Sequence, residues 1–160
     1  MNQLQMICGL VVLAVSLTAC GPNTSFTLPD DFVALDEDSI EWEPYDWKAV
    51  NIDGAVVVLR ERENEEEGSM EFWVKALQRE LSEGRGYQLL EMTDVETRNM
   101  KGKQLRFEVD HAGTPYHYTV AVFLADDNDC IVTVETANRA QDHEAHSETL
   151  QAIVESAKFD

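Results

Sequence analysis

KQLRFEVDHAGTPYHYTVAVFL, residues 103–124, decides the fold. In its first half Leu105, Phe107 and Val109 alternate with Arg106 and Glu108, a period of two that only an extended strand satisfies. His111-Ala112-Gly113-Thr114-Pro115 is rich in turn formers and reverses the chain. Residues 116–124 then return as a second, more apolar strand. Working outward, Asp126-Asp127-Asn128-Asp129 marks another reversal, and residues 130–135, CIVTVE, extend the meander by a third antiparallel strand.

Upstream of this meander lies the best helical pattern in the chain. Met70, Trp73, Val74, Leu77 and Leu81 share one face, Ser69 is placed to cap the first turn, and Gly84 and Gly86 stop it. At about 1.5–3 kcal/mol per large side chain, burying that stripe against a sheet contributes several kcal/mol. Residues 87–92 add a strand between helix and meander. Before the helix, residues 32–35, 45–50 and 55–63 read as strands, with Asn51-Ile52-Asp53-Gly54 as a hairpin turn between the last two. A second helix is predicted over residues 142–158, with Leu150, Ile153, Val154 and Ala157 as its apolar stripe and Phe159 closing it. Strands, a helix, adjacent antiparallel strands and a closing helix make an α+β fold, an antiparallel sheet flanked by helices.

The N-terminal end has a different character. Residues 7–19, ICGLVVLAVSLTA, carry no charge, and the α-amino group supplies the only positive charge before Lys48. Thirteen apolar residues fall short of the ~20 that span a bilayer and match a signal-peptide core instead. Gly21-Pro22 ends any helix there.

Leu17-Thr18-Ala19-Cys20 resembles the lipobox of bacterial lipoproteins. The resemblance implies cleavage between Ala19 and Cys20, a diacylglycerol on the Cys20 thiol, and in many cases a further acyl chain, commonly palmitate, on the new amine. Gly21, rather than Asp, at the second mature position favours the outer membrane over the inner if the cell is Gram-negative. Two or more acyl chains give stable attachment where one is marginal. The expected division is a signal peptide at 1–19, a lipidated Cys20 with a flexible tether at 20–29, and one folded domain at 30–160. Ten flexible residues reach about 17 Å.

The order and pattern of elements over residues 30–160 resemble the Mog1/PsbP-like fold. The resemblance rests on the strand DGAVVVLRERE at 53–63, the helix with Trp73 and Leu77, the three-strand meander, and the closing helix LQAIVESAKF with Ser156 and Phe159. It implies an α/β/α sandwich and a family whose members mainly bind partners.

Charge and composition exclude several functions. The formal net charge is −19, with 12 Lys and Arg against 31 Asp and Glu. Nucleic acid is therefore not a partner, and a polybasic membrane patch is excluded by count. With Cys8 leaving with the signal and Cys20 acylated, Cys130 alone stays in the domain, where its apolar strand marks it as a small buried residue. No Gly-x-Ser-x-Gly, P-loop, Rossmann glycine pattern or CxxC occurs. No catalytic residue, cofactor or metal ligand is assigned, and the expected function is that of a non-catalytic accessory or partner-binding module of the envelope. Its partners are the membrane, through the lipid anchor, and an envelope protein not identified by the sequence.

Trp42, Tyr45 and Trp47, set among Glu41, Glu43 and Asp46, are the first choice for a partner-binding surface. The alternative is a calcium- or metal-dependent binding protein using acidic loops, with a hydrolase third. His143-Glu144-Ala145-His146 spaces its histidines at i and i+3 rather than the i and i+4 of a zincin helix, and 126–131 lacks the Asx and Gly positions of an EF-hand loop.

Overall fold

A computed structural model describes residues 24–35, 45–65, 67–125 and 129–159. Its elements are β1 (Thr24–Ser25), β2 (Phe32–Leu35), β3 (Trp47–Asn51), β4 (Val56–Glu63), α1 (Met70–Arg79), β5 (Gln88–Glu96), β6 (Lys101–His111), β7 (Thr114–Ala125), β8 (Cys130–Arg139), α2 (His143–Ser156) and β9 (Lys158–Phe159). Seven strands form one antiparallel sheet in the order β2-β3-β4-β8-β7-β6-β5, and β1 pairs separately with β9. The fold is α+β, as the pattern of elements implies.

The β6–β7 hairpin at the centre is longer than its apolar alternation. Pairing runs to His111↔Thr114, so only Ala112 and Gly113 make the turn, both at positive φ (53° and 81°). Two such residues give the twist that matches antiparallel strands. Pro115 therefore lies in β7 and not in the turn as expected. In the β3–β4 turn the Asn51 side chain accepts from the amides of Asp53 (3.1 Å) and Ala55 (2.8 Å), closing it from below.

Alternation along β7 sorts the core into two. Ala121, Phe123 and Ala125 point to one face, where they pack with Val57, Leu59, Val132, Val134 and the Leu150, Ile153 and Val154 stripe of α2. Val120 and Val122 point to the other, with Leu105, Phe107, Ile131 and Val74 of α1. One helix covers each face, which makes the α/β/α sandwich.

Ser69 caps α1, its Oγ accepting from the Phe72 amide at 3.2 Å. The helix does not stop cleanly at its glycines. It widens into a π-helical turn over Glu80–Gly84, and Leu81 in that turn is buried. The wider turn ends the helix while still placing Leu81 on the core.

Two expectations change at the chain ends. The closing helix stops at Ser156, and Lys158–Phe159 leave it as β9. The segment 20–29, expected to be a flexible tether, is docked from Thr24 onward. Thr24 and Ser25 pair with Phe159 and Lys158, Phe26 and Leu28 pack against the α2-side core, and the Thr24 hydroxyl donates to Glu61 Oε1 at 2.9 Å. Partners 129 residues away, such as the Thr27 amide bonded to Ser156 Oγ, leave no signature in a short linker-like stretch. Cys130 is buried in a strand, its thiol donating to the Ile131 carbonyl oxygen at 3.9 Å. Among the described residues no helix is long and apolar enough to cross a membrane.

Candidate functional site

A cleft of about 550 Å³ that combines apolar and polar groups lies between α1 and the strands β4, β8 and β7. Its floor is apolar, from Trp73, Leu77 and Leu81 of the helical segment and Ile131 of β8. Its rim is charged, with Arg60 and Arg62 from β4, Glu135 from β8 and Arg85 after the helix. The arginines are there because β4 changes character midway. Val57 and Leu59 face the α2-side core, and the same alternation sets Arg60 and Arg62 on the α1 face.

Each rim charge is held in place. Arg60 grips Glu135 through Nε to Oε1 at 2.7 Å and Nη2 to Oε2 at 3.4 Å, the two-pronged geometry that fixes a guanidinium. Arg62 meets Asp46 at 3.2 Å, and Arg85 meets Glu80 at 2.9 Å. Burial keeps the Tyr118 hydroxyl protonated well above the usual tyrosine range, and the neighbouring Glu135 carboxylate, its hydrogen-bond partner, pushes the same way.

Trp73 is equally fixed. Its indole Nε1 donates to Asn64 Oδ1 at 2.9 Å, and Asn64 also bonds both backbone groups of Gly68 (2.9 and 3.0 Å). A side chain at 68 would collide with the indole, placing a Cβ 2.9 Å from Trp73 Cε2, so glycine is required for the ring to lie there. The cleft is a pre-set surface of one aromatic plane, one neutral phenol and three paired arginines.

On the opposite face, α2 covers a polar cavity of about 310 Å³ lined in part by Arg106, Gln104 and His143. Arg106 Nη1 lies 3.2 Å from His143 Nε2. A guanidinium only donates, so this nitrogen accepts and the ring proton sits on Nδ1. The His117 ring lies 4.2 Å from His143, and Glu91 anchors Arg106 at 2.8 Å.

Burial, then the His117 neighbour and the Arg106 charge, hold His143 below the ordinary histidine range; Glu144 opposes them. His117 is lowered by burial and Arg106, with Glu108 opposing. Both groups therefore take up protons more readily unfolded. Their contribution to stability is present above about pH 6.5 and is lost as pH falls below it. We expect the melting temperature to fall between pH 7.5 and 5.5, and His143→Gln, whose amide oxygen can accept from Arg106, to flatten that fall. A thermal scan at the two pH values decides it; equal slopes in both proteins would remove the histidine pair as the cause.

The expected site residues are dispersed. Ala19, Cys20 and Trp42 lie outside the described residues, as do three of the four residues of the 126–129 turn. Trp47 stacks on Phe26, with ring centroids 4.7 Å apart and 15° between planes, and so braces the docked N-terminal segment. Tyr45 meets Lys48, which lies 5.1 Å from its ring and 3.3 Å from its hydroxyl. His143 and His146 turn to different partners, Arg106 and, at 3.5 Å, Asp53. Among the described residues no group of three or more His, Cys, Asp or Glu is placed to hold a metal. Arg60, Arg62, Tyr118 and Glu135 were not legible as a cluster, since they come from three strands brought together only by the β4-β8-β7 order.

No family model and no curated protein matches the chain. Solved structures do match. LpqN of Mycobacterium tuberculosis, described as involved in cell envelope biogenesis, superimposes with a TM-score of 0.64 at 15% identity, over 89% of this chain and 86% of its own. The cyanobacterial PsbP of Synechocystis sp. PCC 6803 gives 0.56 at 8%, over 91% and 96%. The Ran-binding protein Mog1p of Saccharomyces cerevisiae gives 0.57 at 13%, over 85% and 89%. The fold is therefore Mog1/PsbP-like.

Proposed function

We propose that the protein is a lipid-anchored component of the bacterial cell envelope that acts by binding and not by catalysis. It is held at the membrane through Cys20 and offers the cleft beneath α1 to a protein partner. The observation that carries the anchor is the apolar run 7–19 closing on Leu17-Thr18-Ala19-Cys20, followed by a folded domain already docked at Thr24. Support for the setting comes from the likeness to LpqN, a protein of envelope biogenesis, and for a protein partner from the likeness to Ran-binding Mog1p. The pre-set cleft supports binding, because its polar groups are already oriented and a partner need not order them.

Docking at Thr24 shortens the tether. Residues 20–23 span at most about 14 Å, so a lipidated Cys20 holds the β1–β9 end of the domain against the head groups. In this reading Trp47 and Tyr45 serve the seating of that end, and Gly21 favours the outer membrane over the inner if the cell is Gram-negative.

The test is the intact mass of the full chain extracted from membranes of a lipoprotein-processing host, beside Cys20→Ser. The expected mass is that of residues 20–160 plus acyl chains, with the Ser variant unacylated. A mature chain without acyl groups in both preparations would overturn the anchor.

A further inference from the structure

The sheet beneath α2 changes character halfway along the helix. On β8 the positions facing α2 run from Val132 and Val134 to Thr136 and Asn138. On β7 they run from Phe123 and Ala121 to Thr119 and His117, and on β6 from Gly102 to Gln104 and Arg106. The helix changes with it. Its inward positions read His143 and Ser147, then Leu150 and Val154. Leu150, Ile153 and Val154 are buried, whereas no residue of 143–149 is. Apolar packing therefore holds the second half of α2, and the first half spans the 310 Å³ polar cavity.

Two side-chain bonds cross from β6 to α2, Arg106 Nη1 to His143 Nε2 at 3.2 Å and Gln104 Nε2 to Gln151 Oε1 at 3.0 Å. Of the two, the first alone grips the opening turn. The closed arrangement is costly there. Arg106 Nε, Gln104 Oε1 and the Nδ1 atoms of His117 and His143 are buried without a hydrogen-bond partner among the described residues. Contact with water would return the stability that each such atom costs.

Acid removes the grip. His143 holds Arg106 by accepting at Nε2, and a proton there leaves two donors and two positive charges face to face. The His117 ring, 4.2 Å away, adds a third charge when it protonates. Carboxylates face the group from several elements. Glu91 of β5 is bonded to Arg106, Glu108 of β6 stands 4.0 Å from His117 Nε2, and Asp142 is bonded to Arg139. Glu144, exposed beside His143, opposes the effect without pairing with it, and Glu148 is exposed at the cavity rim. His146 lies 3.5 Å from Asp53 in the β3–β4 turn, a contact that acid strengthens. Acid thus releases the β6 side of the helix and firms the β3–β4 side.

We propose that the first two turns of α2 are an acid-released latch. Protonation of His143, with His117 beside it, frees residues 143–149 from β6. The helix rocks toward Asp53 while the part from Leu150 onward stays seated on the core. The cavity then opens, and Arg106, Gln104, Thr119 and Thr136 meet solvent. The device lies on the face opposite the α1 cleft and does not depend on what that cleft binds.

The test uses the full chain carrying Cys20→Ser and follows methyl relaxation by an uncharged soluble nitroxide at pH 7.5 and 5.5. Thr136, 6% exposed beneath the helix, reports the latch, and Ile153, 0% exposed, reports the seated half. A histidine that is neutral when closed and ordinary when open raises the opening equilibrium about tenfold over this range. The expected result is a rise of about tenfold in the nitroxide effect at Thr136 and none at Ile153. In His143→Gln the rise at Thr136 falls to about threefold or less, since the amide still accepts from Arg106 and does not titrate.

An unchanged Thr136 in the parent chain would overturn the latch, whether or not the variant folds. Equal gains at Thr136 and Ile153 would mean loss of the whole helix, and would overturn it too. So would a tenfold rise that persists in folded His143→Gln, because His143 would then not be the trigger.

Discussion

Gly102→Ala is expected to lower the free energy of unfolding by about 3 kcal/mol, the upper range for forcing a methyl into a filled core. Gly102 is buried in β6, opposite Val95 of β5, on the face covered by α2. A Cβ there would strike the Val122 carbonyl oxygen of β7 and come within 2.6 Å of the Phe123 ring. The first obstacle is backbone in a central strand and cannot turn aside. The second is a fully buried ring that itself rests on Phe159, with centroids 5.2 Å apart. The disturbance thus runs from the middle of the sheet to β9, and through β9 to the docked residues at Thr24.

Urea denaturation measures the effect, with Gly84→Ala as the control, since a Cβ at 84 meets nothing nearer than 3.8 Å. A midpoint for Gly102→Ala within error of the parent would mean that β6 and β7 are not packed as described.

Arg60→Ala is expected to destabilise by about 2–3 kcal/mol. Removing one member of a buried ion pair costs about 3–5 kcal/mol because the other is left charged and desolvated. The lower figure applies because the Arg60 side chain keeps 30% of its surface in water, against 14% for Glu135. The instructive comparison is the double variant Arg60→Met with Glu135→Met. Replacing both charges with apolar groups of similar length is expected to return most of the loss, since no charge is stranded and Tyr118 gains an apolar neighbour. Tyrosine absorbance gives a second readout. Losing the carboxylate at Glu135 eases ionisation of Tyr118, although burial still holds it above the ordinary tyrosine range. A double variant no more stable than Arg60→Ala would assign the loss to the Arg60–Glu135 attraction itself, not to the stranded charge.

The parts legible in the amino-acid sequence are those in which neighbours along the chain share one environment. β6 and β7 alternate cleanly because one side chain in two enters the same core, and α1 is plain because its stripe meets that core at helical spacing. β5 runs on to Glu96, well past the six residues expected, because Thr93, Asp94 and Glu96 are exposed and polar and leave Val95 as the one buried side chain of that half; pairing with β6 holds the rest. The pairing of β1 with β9 is two residues long, too short for any periodicity, and its cause is the whole length of the domain away. The same holds for the cleft. Arg60 and Arg62 look like the solvated tail of a strand until β8 brings Glu135 beside them. His143 looks like a solvent-facing turn or half of a metal motif until β6 supplies Arg106.

The short β1–β9 ladder has a mechanical consequence. In a chain held at Cys20, any pull between domain and membrane enters the fold at Thr24. It meets the β1–β9 pairing, the hydroxyl bond to Glu61, the Phe26–Trp47 stack, the bonds of Thr27 to Ser156 and Arg98 and the packing of Leu28 before it reaches the seven-stranded sheet. Those few contacts yield first. Releasing residues 24–31 adds about 28 Å of slack at some 3.5 Å per residue. If Cys20 is acylated as proposed, the domain would have two working heights, seated on the head groups at rest and lifted clear under load, while the sheet and both of its covered faces stay folded.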